Sequence, residues 1–363
     1  MRVLIVQKRF HPNSIGLVKA IKARGHDVHM IVHFKSGNNP TEDQTVLETV
    51  HIPYYRFFQW FWNRFNREGR HKFSVPRLGP ICKELGTFRP DLVILKKPRL
   101  PNLITGLLAR LYGCKTVLLT NRSPSGKKTI IDRLPKAAGI RHRICTSAND
   151  PSALKNGWIN GARFLPYPIE VPQEPYDRDL KNNRIKILCA GSLKNARKRP
   201  WWVVEAVHRA DLKDDTEMTF AGLGSPESEG ARRIFALART YGLQDRVKIL
   251  YNTPHTEMNE LYFQHDLLVH PARTEPFGAV VLEAMACGLA VLCSDEVGAR
   301  SCFVHGESGM IFPAESVDAM ASCLKQMCRD PENLSTMGMK ARQRVEKEYS
   351  GPAFVKHLES LMS

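Results

Sequence analysis

Residues 275–295 read EPFGAVVLEAMACGLAVLCSD, and the order of loop, helix and strand within them decides the architecture. Glu275 and Glu283 stand eight apart across a loop-to-helix junction. Gly278 permits a close backbone approach, a helix follows over Val280–Cys287, and Val291–Ser294 is a short apolar strand. Just upstream, Leu267–His270 is a second apolar run of strand length. Strand, helix, strand, with the strands apolar throughout, is the βαβ unit of a parallel sheet buried on both faces.

The same rhythm extends outward. Ile185–Ala190, Glu217–Ala221, Val247–Leu250 and Gly309–Phe312 read as further strands, with helices over Pro200–Ala210, Glu229–Tyr241 and His255–Gln264 between them. Residues 166–183, PYPIEVPQEPYDRDLKNN, hold four prolines among polar residues and read as an interdomain linker. Before the linker the pattern occurs once more. Arg2–Val6, Val28–His33, Asp91–Leu95, Thr116–Thr120 and Arg143–Thr146 are apolar runs separated by helix-length segments, and Gly25-His26-Asp27 ends the first helix. A chain of 363 residues suits two domains. We therefore expect two doubly wound α/β domains facing across a cleft, over residues 1–165 and 184–349. A last helix, about Pro352–Met362 within residues 350–363, folds back on the first domain. Ligands of such sheets bind at the carboxyl ends of the strands.

The helix opening after Gly278 supplies an anion site, because its first N–H groups point outward unpaired and the dipole favours negative charge. Glu283, one turn into that helix, can accept from two adjacent hydroxyls, as a ribose offers; Glu275 can reach the hydroxyls of a second ring beyond the phosphates.

Charge is unevenly divided. The formal net charge is +17, and residues 1–180 carry all of it, with 30 Lys+Arg against 13 Asp+Glu; residues 181–363 carry 23 of each. A basic domain seeks a polyanion, whether nucleic acid, an anionic membrane face or a phosphorylated substrate. Within it, residues 54–67 hold eight aromatic side chains interleaved with Arg56, Arg64 and Arg67. Rings such as Trp60 and Trp62 beside these arginines suit a membrane interface or an acceptor contact, and also single-strand stacking. The four-residue spacing of Phe57, Phe61 and Phe65 equally suits a buried helix face.

Several classes fall away. No apolar run approaches the roughly 18–20 residues needed to span a bilayer, and MRVLIVQKRFHPNS lacks the apolar segment and cleavage site of a signal peptide, so a cytoplasmic location is expected. Nine cysteines, without a CxxC pair and set in apolar stretches such as Ile187-Leu188-Cys189-Ala190, argue against disulfide or zinc scaffolds. Gly222-Leu223-Gly224 lacks the third glycine of a dinucleotide fingerprint, Ser125-Gly126-Lys127-Lys128-Thr129 lacks the first glycine of a phosphate loop, and Asp177-Arg178-Asp179 sits in the linker without a preceding strand.

EPFGAVVLEAMACGLAVLCSD resembles the E-x7-E signature of glycosyltransferase family 4, retaining nucleotide-sugar enzymes of the GT-B fold with two Rossmann-like domains. HTEMNELYFQHDLLVHPA upstream, EVGARSCFVHGESGMIF downstream and the glycine turn AGLGSP agree with it in order, over residues 185–315. The resemblance implies that Glu275 contacts the donor sugar and Glu283 the nucleotide ribose, with the amides of Phe277, Gly278 and Ala279 near sugar and diphosphate. It places Gly191 and Ser192 at the end of the domain's first strand, where the family carries Gly-Arg, and Lys198 at the family's lysine; either the register holds a one-residue insertion or Arg197 supplies the missing guanidinium, and Arg197 with Lys198 is the expectation. Gly222 belongs to the glycine turn. In the first domain, Gly16 matches the family's loop glycine, and Asn121 stands where a sugar-facing histidine is common, able to hydrogen-bond but not to titrate.

The expectation is thus a retaining glycosyltransferase acting on a lipid-linked or phosphorylated glycan acceptor of bacterial cell-surface polysaccharide, lipopolysaccharide or capsule synthesis. Neither metal nor cofactor is expected, and the enzyme would sit peripherally on the inner face of the membrane. The alternatives are a nucleotide-sugar epimerase of the same fold and a nucleic-acid-binding protein using the basic half.

Overall fold

A computed structural model describes residues 1–7, 14–33, 49–51 (backbone), 76–120, 138–140, 142–147, 157–159, 161–173, 184–194 and 196–362. The chain divides into two compact units: Met1–Pro168 with Gly351–Ser363, and Ile169–Ser350. In chain order the strands are β1 (Arg2–Gln7), β2 (Asp27–Val32), β3 (Thr49–His51), β4 (Leu92–Lys96), β5 (Lys115–Thr120), β6 (His142–Cys145), β7 (Trp158–Ile159) and β8 (Ala162–Phe164). The second unit adds β9 (Ile185–Ala190), β10 (Thr216–Gly222), β11 (Val247–Tyr251), β12 (Leu267–His270), β13 (Ala290–Ser294) and β14 (Met310–Phe312). The helices are α1 (Ile15–Ala23), α2 (Leu78–Phe88), α3 (Leu100–Leu111), α4 (Trp202–Arg209), α5 (Glu229–Thr240) and α6 (Met258–Phe263), then α7 (Ala279–Ala286), α8 (Val317–Cys328), α9 (Pro331–Arg344) and α10 (Gly351–Ser360).

The first unit is an eight-stranded sheet in the order β3-β2-β1-β4-β5-β6-β8-β7, parallel except for the terminal β7–β8 pair. Its central strand shows why the sequence reads as a continuous apolar run. Val3 and Ile5 of β1 enter the core under α1 and α10, whereas Leu4 and Val6 enter the opposite core under α2 and α3. Alternate side chains point to opposite faces, and both faces are covered. Helix α10 closes this unit through Phe354, Val355 and Leu358, all essentially buried, each worth about 1.5–3 kcal/mol of apolar burial. His26 Nε2 and Glu359 Oε1, 2.9 Å apart, join α10 to the turn after α1.

The second unit is a six-stranded, wholly parallel sheet in the order β11-β10-β9-β12-β13-β14. The chain runs outward from β9 to β11, returns to the middle at β12, and leaves on the other side. Strands β9 and β12 pair only at Ile187–Leu267 and Leu188–Leu268, so the sheet opens beyond those residues.

The structure differs from the sequence reading at several places. Tyr167, inside the supposed linker 166–183, is 7% exposed in the first unit's core. Ile169 bridges Ser350, so the unit boundary falls at Pro168–Ile169 and the start of that stretch is packed chain. The helix read over His255–Gln264 is a 3-10 turn, His255–Glu257, followed by the short α6. Strands β3, β7 and β8 and helices α8 and α9 escaped the sequence reading. The last two carry start signals: Ser316 Oγ accepts from the Ala319 N–H at 3.1 Å, and Asp330 Oδ1 from the Asn333 N–H at 2.9 Å, with Pro331 in the first turn. All nine cysteines are free thiols.

Candidate functional site

The opening between β9 and β12 gathers the chemistry of the second unit. After β9, Gly191 adopts φ +148°, a region that side chains resist, and the chain turns through Leu193 into a 3-10 turn, Ala196–Lys198. After β12, residues 271–278 form a loop that is fixed from behind. The Glu275 N–H donates to the Glu296 carbonyl at 3.0 Å, and the Gly298 N–H to the Glu275 carbonyl at 2.9 Å. The Ala299 N–H donates to the Phe277 carbonyl at 2.7 Å. The Glu275 side chain is thereby presented from a braced backbone.

Three of the sequence-predicted residues meet here. Lys198 Nζ donates to Glu275 Oε2, and Arg197 Nη1 approaches the same oxygen at 3.3 Å. Arg197 also donates to the Thr274 carbonyl, and its own carbonyl accepts from the Arg273 N–H at 2.8 Å, so the two loops are laced together. Burial alone would raise the Glu275 carboxyl; the Lys198 ammonium, through charge and hydrogen bond, together with the Arg197 guanidinium outweighs it and holds Glu275 below the usual carboxylate range. Two cations on one carboxylate leave the cluster with a net positive charge for an anionic ligand.

Gly278 caps α7 with φ +86°, and a β-carbon there would lie 3.0 Å from Val297 Cγ1 and 3.3 Å from Glu275 Cγ. Glycine is required on both grounds. The Val281 N–H turns back to the Gly278 carbonyl at 3.0 Å, leaving the amides of Ala279 and Val280 at the helix's amino end without helical acceptors. Glu283, one turn further on, accepts at Oε2 from the Tyr262 hydroxyl at 2.8 Å. Tyr262 is fully buried, and burial together with Glu283 pushes its phenol well above the ordinary value, so it remains a donor. One Glu283 oxygen is positioned by α6.

The remaining predicted residues fall as follows. Ser192 lies half-buried beside Gly191 on the same loop. Phe277 and Ala279 flank Gly278, both half-buried. Gly222 ends β10 with φ +157°, and a β-carbon on it would collide with the Gly191 carbonyl oxygen; its smallness serves the close passage of the two turns. Gly16 lies in α1 of the first unit, where a β-carbon would stand 2.9 Å from the Pro168 carbonyl oxygen, a packing requirement. Arg56, Trp60, Trp62, Arg64 and Asn121 lie outside the described residues.

Sequence reasoning passed over three residues of this site. Asn252, with φ +56°, brackets the glycine turn: its Nδ2 donates to the Gly224 carbonyl at 3.0 Å and its Oδ1 accepts from the Gly224 N–H at 3.2 Å. Tyr262 is the second. His270 is the third, a polar residue closing the apolar run Leu267-Leu268-Val269 at the carboxyl end of β12 and 2% exposed. A polar side chain ending a central strand was the available signal.

Residues 172–344 match the model of the family described as glycosyl transferases group 1. Over 399 aligned residues the chain is 22% identical to glycogen synthase of Mycobacterium tuberculosis (strain CDC 1551 / Oshkosh), with 96% of this chain covering 91% of that protein. Over a shorter stretch it is 30% identical to D-inositol 3-phosphate glycosyltransferase of Thermobispora bispora, covering 34% of this chain and 29% of that one. Among solved structures, HepE of Anabaena in complex with UDP is similar at a TM-score of 0.71 and 16% identity, with 99% of each chain covered. The two doubly wound parallel-sheet units make this a GT-B fold.

Proposed function

We propose that the chain, whose residues 172–344 match the glycosyl transferases group 1 family, transfers a sugar from a nucleotide-sugar donor with retention of anomeric configuration. The observation that carries the proposal is the cluster of Glu275, Lys198 and Arg197 beside the amino end of α7, at the carboxyl ends of β9 and β12. In this reading the donor's diphosphate takes the place that the cations and the α7 amides offer. Lys198 and Arg197 stabilise the negative charge that grows on the leaving diphosphate as the C1–O bond lengthens. Glu275, held ionised, accepts from hydroxyls of the transferred sugar, and Glu283 from the ribose. The acceptor hydroxyl attacks C1 on the face the diphosphate leaves. Its proton passes to the departing diphosphate oxygen, so the protein supplies position and charge rather than a titrating base. With two cations in place the reaction needs no metal, and EDTA should leave the rate unchanged.

The acceptor is proposed from charge. The basic excess lies in residues 1–180, which suits a phosphorylated or lipid-linked glycan acceptor, presented at an anionic membrane surface during cell-surface polysaccharide synthesis. The D-inositol 3-phosphate glycosyltransferase relative carries a phosphorylated compound in its name, which supports this direction. No helix among the described residues is long and apolar enough to cross a membrane.

The experiment is a thermal-shift panel of UDP, GDP, ADP, CMP and NAD on the wild type and Glu283→Ala. One nucleoside diphosphate should stabilise the wild type selectively and the variant far less. No stabilisation by any of them removes the donor site from this reading.

A further inference from the structure

His270 stands two residues beyond the last β9–β12 pair, in the opening where the strands part. It is 2% exposed, and its Nε2 has no hydrogen-bond partner among the described residues. A buried polar atom without a partner carries a desolvation cost and marks a place where a group is missing. The other ring nitrogen is engaged: the backbone of Ala190 hydrogen-bonds the imidazole in the sense that favours protonation, which is N–H donation from Nδ1 to the Ala190 carbonyl. Burial, reinforced by Lys198, nevertheless lowers the imidazole to about 3, so the ring is neutral. A neutral ring whose proton sits on Nδ1 presents a bare lone pair at Nε2, an acceptor.

That lone pair faces the site described above. A β-carbon on Gly278 would lie 3.8 Å from Nε2, and one on Gly191 would lie 4.0 Å from the ring's Cε1. Both positions are glycine, so the space in front of the ring is bounded by backbone, by the stem of Lys198 and by Glu275. The group that completes Nε2 must bring a proton. Diphosphate oxygens at neutral pH are acceptors and cannot; the Lys198 ammonium is turned on Glu275; the ribose hydroxyls are assigned to Glu283, one turn into α7.

We propose that His270 Nε2 accepts a hydrogen bond from a hydroxyl of the donor's sugar ring, which makes His270 a sugar-contacting residue that recognises the glycosyl group rather than the nucleotide. This rests on the donor-site reading and assigns a further contact within it.

The test compares nucleoside diphosphates with their sugar conjugates, using UDP, GDP and ADP against UDP-glucose, GDP-mannose and ADP-glucose. Dissociation constants are measured by calorimetry for the full chain as wild type, His270→Phe and His270→Gln. Phenylalanine fills the ring's space without an acceptor; glutamine restores an acceptor oxygen. His270→Phe should bind the preferred diphosphate as the wild type does, while its affinity for the matching nucleotide sugar falls at least about tenfold. His270→Gln should recover most of that loss. Should the phenylalanine variant fail to fold, His270→Met carries the same comparison. Equal loss for diphosphate and nucleotide sugar, no loss for either, or no recovery by glutamine overturns the inference while leaving the donor site standing. A wild type that binds none of the six compounds overturns the donor-site reading itself.

Discussion

The two sheets reverse direction in the same way, at β1/β4 in the first unit and at β9/β12 in the second, yet the two reversal points compensate charge differently. In the second unit two cations share one carboxylate, and Glu275 is held ionised. In the first, the β4 terminal residue Lys96 is buried with its Nζ 2.8 Å from the Ser14 hydroxyl, which in turn donates to Gln7 Oε1 at 3.0 Å. The Lys96 Nζ also lies 4.8 Å from the centre of the Tyr167 ring. Burial, with Lys97 adding, lowers Lys96 to about 7. One topology thus builds a charge that is constant across neutral pH and another that comes and goes within it. The fold fixes where a ligand is met; the compensation of charge fixes what kind, and under which conditions.

The largest effects should fall on the compensated cluster. Lys198→Ala and Glu275→Ala each remove a charge from the proposed donor site, and kcat/KM should drop roughly a hundredfold to a thousandfold with the fold intact by circular dichroism. Lys96→Met should cost far less activity. A greater loss from Lys96→Met than from Lys198→Ala moves the chemistry to the first unit and breaks the comparison.

Lys96 makes its own mark on stability. Its folded pKa lies below the unfolded value, so the unfolded chain binds the extra proton between about pH 7 and 10.5, and stability rises with pH across that window. Below it the full cost of a buried ammonium is present. Lys96→Met should remove this slope, leaving the variant more stable than wild type at pH 6 by on the order of 2–3 kcal/mol, and the gap should close toward pH 10. Parallel denaturation curves for both proteins from pH 6 to 10 break the assignment of an uncompensated amine.

How much of this was legible in the chain depended on whether a feature is local. Strands β9 and β12 were read to the residue, because a strand buried on both faces is an unbroken apolar run with turn residues after it. Glu275 stands out as a charge at a loop-to-helix junction against an apolar background, whereas Lys198 and Arg197 are singled out only through the family resemblance. Strands β7 and β8, two and three residues long, are too short to show a period. Helices α8 and α9 have their caps written in Ser316 and Asp330-Pro331, local signals that the sequence carries openly. In the pattern His270 shows only as the polar end of the apolar run Leu267-Leu268-Val269. Its importance lies in a hydrogen bond not made, which follows from the parting of β9 and β12 after a two-residue ladder. Gly222 is marked only through the resemblance's glycine turn, and in the structure the neighbouring carbonyl of Gly191 is what requires its smallness.

Smaller effects refine the contrast between the units. Tyr262→Phe leaves Glu283 without its buried donor and should weaken nucleoside diphosphate binding severalfold, about 1 kcal/mol, while thermal stability falls by a similar amount. Unchanged nucleotide affinity in Tyr262→Phe frees Glu283 from the ribose.

The smallest effect belongs to the basic first unit, whose aromatic segment 54–67 lies outside the described residues. If residues 54–67 meet a membrane, Trp60→Ala with Trp62→Ala should lower co-sedimentation with anionic phosphatidylserine vesicles a fewfold, and binding to neutral vesicles should be weak in both proteins. Raising salt from 50 to 500 mM should weaken both proteins, since screening removes the attraction of the basic residues and leaves the wild type the burial of its rings. Donor-nucleotide affinity, which the proposed function assigns to the second unit, should be the same in both. Vesicle binding that survives the double substitution assigns Trp60 and Trp62 to packing at the spacing of Phe57, Phe61 and Phe65, and leaves the net charge of the first 180 residues to recognise a soluble phosphorylated acceptor instead.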